Sequence, residues 1–169
     1  QTLLAFAIAT MPGSLIEESA LRRSAFSFAQ AGSQRNFWRR VERYQRRFSR
    51  SLYAAEFMHE AMSRIVSFET SGKPADRLTL DLFLGRINVA HRKNLLLDLT
   101  RKAAMANLGN LTKFGSGRLR RLSSTSSPEE QIAVLYASLF DVASDTTGRV
   151  AGALEAIDGR LLPPLERQL

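Results

Sequence analysis

Signals that start a helix recur along this chain at a nearly constant interval, and that interval constrains the fold more than any single motif. Ser14 opens SLIEE, and Glu17 completes an S-x-x-E capping box in which the hydroxyl and the carboxylate each satisfy a free backbone N–H. Ser51 opens SLYAAEF, Asn88 opens NVAHRKN, and Ser127 opens SPEEQ, with Pro128 in the first turn, where a missing N–H costs nothing. Pro163 opens PPLERQL, and the successive steps are 37, 37, 39 and 36 residues. A fixed period of this length marks a repeat architecture.

A second break falls about halfway through each unit: AGSQ at 31–34, SGKP at 71–74, LGN at 108–110 and SDTTG at 144–148. In three of them a Gly follows an apolar helix end, where a C-cap needs a left-handed residue. Each unit thus reads as helix, tight turn, helix. The first helices carry one apolar stripe each: Leu21, Ala25, Phe28 and Ala29; Leu96, Leu99, Ala103 and Ala106; Ile132, Leu135, Tyr136, Leu139 and Val142. LTLDLFL at 78–84 alternates like a strand but lacks β-branched aliphatics, and Leu80, Phe83, Leu84 and Ile87 fit a helix face. Gly115 and Gly117 predict a broken or bent helix over 111–122.

Hairpins that cannot bury their own stripes must stack. The predicted fold is all-α, an α-solenoid of tetratricopeptide-like helical hairpins with a period of about 37 residues. Residues 1–169 read as one helical-repeat domain with units at approximately 14–50, 51–87, 88–126 and 127–162, a piece of a longer array. The apolar opening LLAFAIA lacks the charged n-region of a signal peptide and reads as the tail of a helix.

The net charge of +8 has one source, because residues 21–50 hold nine Arg against one Glu and the rest of the chain balances. Its densest part is RNFWRRVERYQRRFSR, residues 35–50. On a helix, Phe37, Val41, Tyr44 and Phe48 share one side, with Trp38 and Gln45 flanking, and Arg39, Arg43, Arg46 and Arg50 lie opposite. The aromatics are therefore expected in the core, which removes the exposed stacking platform that a single-strand nucleic-acid binder needs. Arg39, Arg43, Arg46 and Arg47 are expected to be largely exposed. They are either a solvated helix face or a contact for an acidic protein partner or a neighbouring unit, with nucleic acid or anionic lipid as the remaining reading.

Catalytic and ligand-binding patterns are missing from the sequence. His59 and Glu60 lack the second His of H-E-x-x-H, His91 falls in another unit, and no G-x-S-x-G, Walker-type or G-x-G-x-x-G run occurs. Gly115-Ser116-Gly117 is too short for a phosphate loop, and Glu17/Glu18 and Glu129/Glu130 lie in first turns, where the helix dipole accounts for them. Without Cys there is no disulfide framework or thiolate metal site, and no apolar run reaches the length of a membrane span. The reading is of a protein with no enzymatic activity, no cofactor and no metal.

MPGSLIEESALRRS, RYQRRFSRSLYAAEF, SSPEEQIAVLYASLFDVAS and LEAIDGRLLPPLERQL together resemble the MotC family of alphaproteobacterial motility proteins along nearly the whole chain. RYQRRFSRSLYAAEF is also similar to the repeat wording of periplasmic envelope-assembly scaffolds, in which a Pro commonly stands at the place of Ser49. The MotC resemblance implies a secreted periplasmic protein that acts with the flagellar stator protein MotB, is required for motor rotation, and has no catalytic residues. A general envelope-assembly or peptide-binding scaffold is the alternative, and a basic nucleic-acid-binding module a second one.

Overall fold

A computed structural model describes residues 2–141 and 147–168, with the backbone alone at 147 and 149. Among them are nine α-helices and no strand: α1 (Thr2–Thr10), α2 (Leu15–Gln30), α3 (Gln34–Phe48), α4 (Ala54–Thr70), α5 (Arg77–Gly85), α6 (Val89–Met105), α7 (Gly109–Leu122), α8 (Pro128–Asp141) and α9 (Thr147–Glu155). A 3₁₀ turn follows at Glu166–Gln168. LTLDLFL is helical, with Leu80, Phe83 and Leu84 buried in α5.

The turns explain why the helices pair. After α2, the Gly32 N–H donates to the Ala29 carbonyl and the Ser33 N–H to that of Phe28. After α4, Gly72 and Lys73 repeat this on Glu69 and Phe68, and after α6, Asn107 and Leu108 repeat it on Ala104 and Ala103. All three are Schellman caps, which satisfy the last carbonyls and reverse the chain within a few residues. The left-handed residue is Gly32 (φ 70°), Gly72 (φ 72°) and, in the third, Asn107 (φ 56°). Gly109 is instead the first residue of α7, so the expected glycine cap at LGN moves two residues upstream to an Asn, the next most tolerant residue. SDTTG falls largely outside the described residues.

Helix starts follow the capping chemistry with two exceptions. Ser14 accepts from the Glu17 N–H at 3.2 Å, Asn88 from the His91 N–H at 3.0 Å, and Ser127 from the Glu130 N–H at 3.3 Å. Ser51 does not begin α4: its hydroxyl bonds Glu18 and accepts from the Tyr53 N–H, holding a turn, and the helix begins at Ala54. Pro163 begins no α-helix either, because Pro164 drives the residue before it out of the helical region, and only the 3₁₀ turn forms.

The chain forms two compact units, Gln1–Arg86 and Ile87–Leu169. In the first, Phe37 meets Phe68 (5.5 Å between ring centroids) and Tyr44 meets Phe57 (4.2 Å), so α3 and α4 run antiparallel. Arg22 stands over Tyr53 and Phe26 meets Phe57, so α2 and α4 run parallel. Trp38 meets Phe83 and Glu42 meets Arg86, which makes α3 and α5 parallel as well. Neighbours in sequence are thus antiparallel and alternate helices parallel. Fully burying each large side chain stabilises this arrangement by roughly 1.5–3 kcal/mol.

In the second unit, α7 is continuous despite its two glycines. The expected break is absent because Gly115 is buried against α6: a Cβ there would collide with Thr100 Oγ1, so the glycine allows a close helix approach rather than a bend. Ile132, Leu135, Tyr136 and Leu162 form a buried cluster flanked by Leu97, Ala104 and Ile157. Leu139, assigned to that stripe from its spacing, is exposed (39%), and Val142 lies outside the described residues.

Candidate protein-binding surface

The apolar half of α3 is buried as its spacing requires: Phe37, Val41 and Tyr44 are fully inaccessible and Trp38 nearly so. Phe48 is half-buried. Phe37, Trp38 and Tyr44 therefore offer no open face for stacking with a base.

The opposite half splits into two groups. Arg39 and Arg46 are exposed, and neither forms an ion pair among the described residues. Arg43 and Arg47 instead converge on the Glu17 carboxylate of α2, Arg43 on Oε1 at 2.8 Å and Arg47 on Oε2 at 3.0 Å. The Glu17 side chain is fully buried, whereas the side chains of Arg43 and Arg47 are 35% and 39% accessible. Arg43 is thus half-buried, a correction to its expected exposure, and Arg47 is exposed but committed.

The Gly13 N–H gives Glu17 Oε2 a third bond at 2.7 Å. The carboxylate therefore completes its capping box one residue ahead of Ser14. Burial pushes the Glu17 carboxyl up, but the Gly13 N–H, the Arg43 hydrogen bond and the charges of Arg47 and Arg43 outweigh it and hold the group below its ordinary value.

Glu18 is also buried. It accepts from the Tyr44 hydroxyl at 2.6 Å and from the Ser51 hydroxyl at 2.5 Å. Burial, then the bond to Glu18, push the Tyr44 hydroxyl far above its ordinary value, so it remains a neutral donor. The helix dipole does not suffice to account for these first-turn acids. They are the buried acceptors that join α2 to the basic end of α3. The sequence signal was available: in a hairpin reversing at Gly32, Glu17 and Arg47 are equidistant from the turn.

Arg39, Arg40, Arg43 and Arg46 with Asn36 and Glu42 line an open groove of about 390 Å³. Arg40 lies 5.8 Å from the Phe28 ring, and burial together with the Arg43 and Arg39 charges pushes its pKa down. Guanidinium pKa values start so high that Arg40 keeps its charge. Glu42 is turned to Arg86 at 3.0 Å. The groove thus presents several cations and one neutralised acid.

The other residues singled out from the sequence are not among those that line it. His59 is exposed on α4, the His91 ring nitrogen Nδ1 meets the Asn88 side-chain amide at 2.8 Å, and Gly115-Ser116-Gly117 lies within α7. No cluster of three or more His, Cys, Asp or Glu that fits a metal ion occurs among the described residues. No helix there is long and apolar enough to cross a membrane.

Among the described residues the protein is all-helical, with capped hairpins and with its excess positive charge concentrated in residues 21–50. The family model described as "Chemotaxis protein MotC" matches residues 2–169. The chain is 33% identical over 161 residues to a protein named "Chemotaxis protein MotC" from Rhizobium meliloti (strain 1021), covering 95% of this chain and 36% of that relative. The chain belongs to the MotC family of chemotaxis proteins. It spans about a third of the length of that relative. No solved structure matches it.

Proposed function

We propose that the chain is part of a periplasmic, non-enzymatic scaffold of the flagellar motor that binds the stator protein MotB and is required for motor rotation. Membership of a chemotaxis family supports the motility role. Its helical hairpins are read as repeats of the tetratricopeptide-like, α-solenoid kind, supported by the three matching Schellman turns and by the parallel packing of alternate helices in the first unit.

One observation carries the binding surface: Arg39 and Arg46 have no ion-pair partner among the described residues, whereas Arg43 and Arg47 on the same helix are tied to Glu17. Free cations two helical turns apart in an open groove suit an acidic protein surface, where they act chiefly on the rate of encounter. Of the four arginines predicted to bind a partner, Arg39 and Arg46 are the contacts, and Arg43 and Arg47 chiefly hold the fold.

The test is recovery of MotB with the intact, tagged protein from motile cells, compared with an R39E/R46E version. The expected result is recovery with the wild type and loss with the variant at unchanged melting temperature. Equal recovery by both would overturn the surface assignment, and failure of the wild type would overturn the partner.

A further inference from the structure

A second groove, also about 390 Å³, lies between α3 and α5, and its walls are chemically unlike. Gln34, Arg35, Trp38, Arg39 and Glu42 line it from α3, and Asp76 and Thr79 from the start of α5. Gln34 fixes one end: its amide donates to the carbonyls of Lys73 (3.1 Å) and Pro74 (3.0 Å), and its oxygen accepts from the Asp76 N–H. Asp76 is consumed by capping, accepting from the N–H groups of Leu78 and Thr79 and from the Thr79 hydroxyl at 2.6 Å. Those bonds hold its carboxyl below the ordinary value. Glu42 is consumed by Arg86.

Both acids are therefore satisfied, while the donors are not. Arg35 and Arg39, one helical turn apart, are exposed and have no ion-pair partner among the described residues. Trp38 is 4% accessible, and its indole N–H is buried with no acceptor in the protein. An indole nitrogen has no alternative to donating, and a buried donor without an acceptor is costly. Beside Thr79 on α5, Leu78 (69%) and Leu82 (56%) expose an aliphatic ledge.

From two exposed, unpaired guanidinium groups, neutralised acids and this ledge, we infer that the α3–α5 groove binds an acidic segment of a partner protein. A carboxylate bridges Arg35 and Arg39, while an aliphatic side chain of the same segment covers Leu78 and Leu82. Charge complementarity selects this occupant, since the groove's own acids are neutralised and its exposed, unpaired charges, Arg35 and Arg39, are both positive. The inference rests on the protein-binding reading above and specifies the chemistry of the bound segment.

Trp38 is the only tryptophan in this sequence, so emission excited selectively from tryptophan, and not from the three tyrosines, reports on the groove. The chain is titrated with a short Asp/Glu-rich peptide containing leucines, at low and high salt. A saturable change in emission that weakens with salt is expected. R35E/R39E is expected to weaken binding by about tenfold or more, and R46E, outside this groove, by no more than about twofold.

Absence of saturable binding, unchanged binding by R35E/R39E, or equally tight binding of a Lys-rich peptide or a single-stranded oligonucleotide each overturns the inference. Its failure is distinguishable from that of the functional reading. If the peptide fails while intact protein still recovers MotB in an Arg46-dependent way, only the groove falls. If the peptide binds but the intact wild-type protein fails to recover MotB, only the stator reading falls.

Discussion

Removing both guanidinium groups from Glu17, in R43A/R47A, leaves a fully buried carboxylate with the Gly13 N–H as its one remaining donor. Stripping the partners from a fully buried charge costs about 3–5 kcal/mol. Here both arginines are more than a third exposed, so solvent already screens the pair and water reaches the carboxylate once they are gone. The discounted expectation is about 2–3 kcal/mol for the double variant and about 1 kcal/mol for either single one, since the second arginine remains. R39A/R46A, on the same helix with the same change of charge, should stay within about 0.5 kcal/mol of the wild type.

The assay is urea unfolding followed by far-ultraviolet circular dichroism, repeated as the pH is lowered. In the wild type the folded Glu17 has a depressed pKa, so its contribution is present above the ordinary 4.5 and is lost as pH falls through the folded value. In R43A/R47A burial acts with less opposition and raises the folded pKa, so Glu17 destabilises at neutral pH and protonation relieves it. The gap between the two proteins must therefore close as the pH drops below the carboxylate range. Equal stabilities of R43A/R47A and R39A/R46A at neutral pH, or a gap that survives acidification, would refute the reasoning.

Gly115→Ala should destabilise by about 1–3 kcal/mol in thermal unfolding although it improves helix propensity, because Thr100 Oγ1 is held to the Leu96 carbonyl at 2.7 Å and cannot retreat freely. Pairing it with Thr100→Ala should recover much of the loss. Asn107→Gly should stabilise by up to about 1 kcal/mol, since the left-handed φ of 56° strains any side chain, and a lowered urea midpoint would contradict this. Tyr44→Phe should cost about 1–2 kcal/mol by leaving the buried Glu18 with Ser51 as its hydroxyl donor. Phe37→Ala should cost about 3–5 kcal/mol through the cavity left among Trp38 and Phe68, measured in the same urea series.

Local signals in the sequence carried most of the helix plan. Capping residues such as Ser14, Asn88 and Ser127 act on neighbours within a few positions, so their chemistry is readable in one short stretch. The apolar side of α3 was readable for the same reason. What escaped depends on partners distant in sequence. Ser51 resembles a cap but bonds Glu18, 33 residues earlier. Gly115 looks like a helix breaker until Thr100 is seen against it. The basic face of α3 looks uniform along the chain, and only the fold of the hairpin separates Arg43 and Arg47, which meet Glu17, from Arg39 and Arg46, which do not.

That division of labour on one helix is the central claim, and association kinetics with MotB, the partner proposed above, test it most directly. Rates measured across a range of ionic strength should fall for R39E/R46E, with a weaker salt dependence and an unchanged melting transition, because rim charges govern encounter and are screened by salt. R43A/R47A, compared under conditions where it remains folded, should lose stability while its association rate changes little. The opposite pattern, with R39E/R46E associating like the wild type and R43A/R47A fully stable but slow to bind, would contradict the account.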